Sequence, residues 1–99
     1  MGKIDHRRLT RSQYEALGRE FFSTCQSARS VKQLSKFLNG MLTPSERIMI
    51  ARRIRVAKKV LKKQGQVAIQ DQLGVGQSTV DTVERFLEKM GPEEKRMLR

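Results

Sequence analysis

The chain has 99 residues, enough for one domain, and a formal net charge of +11 from 21 Lys and Arg against 10 Asp and Glu. That balance calls for a polyanionic partner such as DNA, RNA or an anionic membrane surface, and a helical chain this short often completes its core by dimerising. One Cys, one His and no window near the ~20 apolar residues of a membrane span exclude an internal disulfide, a Cys/His metal cluster and a transmembrane segment.

Residues 1–11, MGKIDHRRLTR, read as a mobile basic arm. They hold no apolar run, so no signal peptide is expected and the protein reads as soluble and cytoplasmic, with no membrane partner. Arg7, Arg8 and Arg11 are either DNA contacts or plain solvated charges. Ser12 and Glu15 have the spacing of a capping box, in which hydroxyl and carboxylate satisfy free N–H groups at a helix start. Tyr14, Leu17, Phe21, Cys25 and Ala28 then recur at helical spacing, which makes Cys25 a buried small hydrophobe rather than a reactive thiol. Ser30 and Gln33 form a second box, opening a shorter helix through Val31, Leu34, Leu38 and Met41 that Asn39-Gly40 should stop.

Thr43-Pro44-Ser45-Glu46 is the strongest start signal in the chain: a Thr cap, a Pro where a missing N–H costs nothing, and a Glu closing the box. The helix it opens should run to about Lys63 and end at Gly65, with Ile50, Ile54, Ala57 and Leu61 as its apolar stripe. Arg52, Arg55, Lys59 and Lys62 fall almost opposite that stripe. No acid stands between Glu46 and Asp71, so the seven cations from residue 52 to residue 63 go unneutralised along the chain. The stripe reads as a phosphate-binding face.

Residues 66–86, QVAIQDQLGVGQSTVDTVERF, hold the pattern of two short helices across a tight turn at Gly74. Apolar residues fall at Ile69, Leu73, Val75, Val80 and Val83; one helix is expected from about Val67 to Leu73 and a second from Gln77 to about Lys89. In a helix-turn-helix the first helix braces the second, whose leading residues enter a major groove. Gln77, Ser78, Thr79 and Thr82 would then read bases, Gln by bidentate pairing with adenine and Ser or Thr by single bonds. Asp81 is expected to face solvent. Gln70 departs from the small residue usual where the two helices cross. Gly91-Pro92 should end the second helix and leave 92–99 as a tail.

The expected architecture is all-α, a helical bundle with a C-terminal helix-turn-helix at 66–89 inside a domain of residues 12–91. No catalytic constellation is visible: His6 has no partner, Gly74-Val75-Gly76 belongs to the turn, and Met41, Met49 and Met90 fit core positions. The protein reads as a non-enzyme.

With these residues placed, the chain from about Phe21 to Met90 resembles the Trp repressor superfamily. The resemblance rests on Met41-Leu42-Thr43-Pro44-Ser45-Glu46-Arg47, on Arg53-Ile54-Arg55-Val56, and on Leu73-Gly74-Val75-Gly76 with Ser78-Thr79-Val80. The stretch from Leu61 to Gly74 looks about one residue shorter than in tryptophan-sensing members. The resemblance implies an intertwined homodimer acting as a repressor on a palindromic operator, with half-sites ~34 Å apart. It also implies an effector pocket at Thr43 and Arg53. Where tryptophan-sensing members carry a second arginine and a glycine, this chain has Thr82 and Val83, and with Phe86 at another pocket position Val83 is expected to fill space that the amino acid would need. L-tryptophan is therefore not expected as cofactor; constitutive binding or another small effector is.

Two other classes compete. A small RNA-binding or ribosome-associated protein would stack bases on exposed aromatics, but Tyr14, Phe21, Phe22, Phe37 and Phe86 all lie in helical apolar series. A sigma-like polymerase-interaction module shares the LTP-x-ER opening, but with a shorter helix before its motif than the roughly twenty residues expected here.

Overall fold

The computed structural model describes residues 4–99; the first three residues of the expected arm lie outside the described ones. Among the described residues a 3-10 turn, His6–Arg8, precedes six helices and there is no strand. The helices are α1 (Arg11–Gln26), α2 (Val31–Met41), α3 (Pro44–Leu61), α4 (Gln66–Leu73), α5 (Gln77–Glu88) and α6 (Pro92–Arg96). They divide into two compact units, Met1–Met41 and Leu42–Arg99.

In the first unit Asp5 caps the His6–Arg8 turn. Asp5 accepts from the Arg7 backbone N–H at 3.0 Å and takes a two-pronged bond from its guanidinium at 3.0 and 3.2 Å. That guanidinium holds the Asp5 carboxyl below its ordinary range. The first helix starts earlier than Ser12–Glu15 predicts. Thr10 and Gln13 form the capping box, at 3.0 and 2.9 Å, because Thr10 is the last extended residue; Glu15 instead pairs with Arg11 at 3.0 Å. Ser30 caps α2 as expected, accepting from the Gln33 N–H at 3.1 Å, while the Gln33 side chain accepts from Arg29 at 2.8 Å. Asn39-Gly40 does not stop α2, which runs through both to Met41. Its end is set by Thr43, which precedes a proline and is extended at φ −70°, ψ 158°.

No described residue of this unit is buried. Tyr14, Leu17, Phe21 and Phe22 of the predicted stripe stand 57, 56, 45 and 68% exposed, and Cys25 is half-buried rather than buried. Ile4, Leu9, Tyr14, Leu17, Phe21 and Phe22 line an open apolar groove of about 650 Å³.

The second unit carries the core. Val56 and Ala57 of α3, Ile69 of α4, and Val80, Val83 and Leu87 of α5 are buried together. Burial of Val56, Ile69 and Val80, each fully enclosed, contributes roughly 1.5–3 kcal/mol per side chain. Both Val60 and Leu98 pack against this cluster, so the tail past Pro92 is anchored at its end. The box opening α3 forms as predicted, Thr43 and Glu46 exchanging bonds at 2.8 and 3.1 Å. The buried face of α3, however, is rotated from the predicted stripe. Ala57 and Leu61 do face the core, but Ile50 and Ile54 are 46 and 44% exposed. The reason is that α4 and α5 dock on the Val56–Val60 side, leaving α3 with a second apolar edge. Met41 and Met49 are likewise exposed rather than core residues; Met90 packs as expected.

The end of α3 also differs. Helix geometry stops at Leu61, and the left-handed residue is Lys63 at φ 62°, not Gly65. The Gln64 N–H donates to the Lys59 carbonyl at 3.2 Å and the Lys63 N–H to Val60 at 2.9 Å, the paired bonds of a Schellman motif with a lysine where glycine is usual.

Candidate nucleic-acid interface

Three elements build the site: the glycine corner, α5 and the cationic face of α3. Gly74 ends α4 at φ 63°, ψ 35°, and its N–H donates to the Gln70 carbonyl at 2.9 Å. A β-carbon here would sit in left-handed geometry at a cost of roughly 1–2 kcal/mol, although none of its neighbours lies within 4 Å. Gln70, the unusual residue at the crossing, is half-buried and accommodated. Two residues beyond the corner, Gly76 is the N-cap of α5 and supplies no side-chain bond. The leading N–H groups of α5 therefore remain open to an anion.

Val80, Val83 and Leu87 turn one face of α5 into the core, which fixes what the opposite face presents. Of the predicted base readers, Gln77, Ser78 and Thr82 are exposed and Thr79 is half-buried. The Thr82 hydroxyl donates to the Ser78 carbonyl at 2.8 Å, so it has lone pairs left for a base donor but its hydrogen is spent. Asp81 does not face solvent freely. It is half-buried and accepts from the Gln66 side-chain amide at 2.9 Å, alongside Glu84 at 3.2 Å to each oxygen. Sequence spacing had no signal for this, because the partner lies fifteen residues upstream on another helix.

Arg52, Arg55 and Lys62 are exposed and Lys59 half-buried. None of them forms an ion pair among the described residues. A cleft of about 230 Å³ opens where α3 meets the glycine corner. Arg52 and Arg53 line it together, with Met49, Thr79 and the Gly74–Gly76 backbone opposite. Arg53 thus lies in the cleft, whereas Thr43 is not among its lining residues. Arg52, read as a phosphate contact, shares the cleft with Arg53. Val83 does not fill it: that side chain is in the core, and Phe86 is 57% exposed.

Among the described residues no cluster of His, Cys, Asp or Glu could hold a metal, and no helix is long and apolar enough to cross a membrane. Comparison with known families matches the chain to the family described as Trp repressor protein, over residues 17–99. No curated protein and no solved structure matches the chain. Since the match takes in the basic helix, the glycine corner and α5 alike, the chain belongs to the Trp repressor protein family, a family of helix-turn-helix DNA-binding regulators.

Proposed function

We propose that this protein is a non-enzymatic, sequence-specific repressor that binds double-stranded DNA in the cytoplasm, at the nucleoid, and reads a palindromic operator as a homodimer. The observation that carries this reading is the division of α5. Its inner face is locked in the core, while Gln77, Ser78 and Thr82 are exposed beside cations that form no ion pair among the described residues. Gln77, Ser78, Thr79 and Thr82 read base edges; Arg52, Arg55, Lys59 and Lys62 bind phosphates. The homodimer is supported by exposed apolar surface in each unit: Leu17, Phe21 and Phe22 on α1, and the Ile50–Ile54 edge of α3. A twofold partner would bury these faces and duplicate the recognition helix.

The exposed rings bear on the RNA reading too. Tyr14, Phe21 and Phe22 share the apolar groove of the first unit, while Phe86 is the one aromatic of the unit carrying the basic helix. Single-strand binders interleave several rings with cations, an arrangement that the α3–α5 surface lacks. The Arg52–Arg53 cleft is where a small anionic effector would lie. With Thr82 in place of a second sandwiching arginine, L-tryptophan does not serve.

Selection of bound sites from random duplex DNA tests the reading. An inverted repeat is the expected result, and unselective enrichment would overturn it. With the selected site, Lys59→Ala weakens binding to all sequences alike, whereas Gln77→Ala alters the preferred base at one position by ~1–3 kcal/mol. If about six phosphates are neutralised, log affinity falls against log salt with a slope of roughly −5. L-tryptophan leaves the titration unchanged. Identical behaviour of the two variants would refute the division of roles.

A further inference from the structure

Gln66, the first residue of α4, reaches across to α5 and donates from one amide nitrogen to Asp81 Oδ1 at 2.9 Å and to both Glu84 oxygens at 3.2 Å. Two amide hydrogens therefore serve three carboxylate oxygens, and the donor capacity of Gln66 is spent. Neither carboxylate forms an ion pair among the described residues. They are two anions, one turn apart, on the recognition helix of a protein whose net charge is +11. Asp81 lies on the same helix as the exposed Gln77, Ser78 and Thr82, so an unrestrained Asp81 carboxylate would add negative charge close to a bound duplex. Charge-assisted bonds to a neutral amide restrain it without adding a cation.

We propose that Gln66 is a positioning residue for DNA binding: it holds the Asp81 and Glu84 carboxylates against α4 and so keeps their charge from opposing the duplex. The inference rests on the DNA-binding reading above. Its core is a difference between two kinds of role. A residue that only braced the two helices would matter whatever the charge on α5. A residue that restrains carboxylates matters only while those carboxylates are charged.

A double-mutant cycle separates the two. Gln66→Ala and the closer-sized Gln66→Met are titrated against the duplex that the wild-type protein selects, alone and combined with Asp81→Asn/Glu84→Gln, at low and high salt. Thermal unfolding of each protein is recorded in parallel. With the carboxylates present, either Gln66 substitution weakens binding about 3–10-fold at low salt and less at high salt, because the opposing charges are screened. In the Asp81→Asn/Glu84→Gln background the same substitutions change affinity less than about two-fold. Equal losses in both backgrounds, or no loss in either, overturn the proposal while leaving the DNA-binding reading intact. A wild-type protein that selects no duplex overturns both.

Discussion

Replacing Gly74 by alanine tests the corner on which the whole site turns. Gly74 is at φ 63°, and an added β-carbon would meet no atom within 4 Å, so the cost is backbone strain alone, without a clash. Left-handed geometry costs an L-residue roughly 1–2 kcal/mol, and the loss of glycine's freedom in the unfolded chain returns roughly 0.4–1 kcal/mol. The net destabilisation is about 1 kcal/mol, a fall of roughly 4–8 °C in the unfolding midpoint for a chain of this size. Two companions make the reasoning sharp. Gly76 has a negative φ of −84° and equally open surroundings, so Gly76→Ala carries no left-handed strain; the smaller entropy of the unfolded chain offsets the poorer N-cap, and the change is near neutral. Lys63 is a lysine in left-handed geometry at φ 62°, so Lys63→Gly relieves strain and raises stability by about 0.5–1 kcal/mol. Unfolding is followed by circular dichroism at one fixed protein concentration, since association would shift the midpoint. Equal losses for Gly74→Ala and Gly76→Ala, or a loss for Lys63→Gly, would refute the assignment of strain to these two positions.

The remaining predictions concern association and acid stability. Leu17→Glu removes about 2 kcal/mol of apolar burial from each subunit, about 4 kcal/mol from the proposed twofold dimer, and weakens self-association roughly 1,000-fold by sedimentation analysis; an unchanged mass distribution would place the dimer contact elsewhere. The Glu46 carboxyl is held below its ordinary value of 4.5, first by the Thr43 backbone N–H and then by the Thr43 side chain. A carboxyl whose folded pKa is depressed stabilises the fold fully above its unfolded pKa and loses that contribution as pH falls through the folded value. Wild-type stability should therefore drop below about pH 4.5 more steeply than that of Glu46→Gln, and parallel acid curves for the two would remove the capping box from the account. Thr43→Ala, which deletes the cap oxygen, costs about 1 kcal/mol at neutral pH in the same unfolding assay.

Local chemistry made much of the fold legible. The Thr43-Pro44-Ser45-Glu46 start, the Gly74 corner and the bounds of α4 and α5 follow from short-range rules: a cap within three residues of its partner, a proline where no N–H is needed, a glycine where φ is positive. Where two local signals competed, the choice was harder. Thr10–Gln13 prevailed over Ser12–Glu15 because Thr10 is the last extended residue, which leaves Glu15 to pair with Arg11, and α2 ran through a glycine because the stronger stop was the proline beyond it.

What sequence alone determined, then, was helix type and position, the basic charge of the face between residues 52 and 62, and the family motifs, all of which depend on neighbours within a turn or two. What only tertiary packing decided was which side of α3 is buried, that Arg52 and Arg53 share one cleft, and that Asp81 bonds to Gln66 rather than to water. A helix with apolar residues on two edges has no local reason to prefer one, and a side chain's partner fifteen residues away leaves no trace in spacing. Those choices are made by whichever helices dock, and docking is a property of the assembled core.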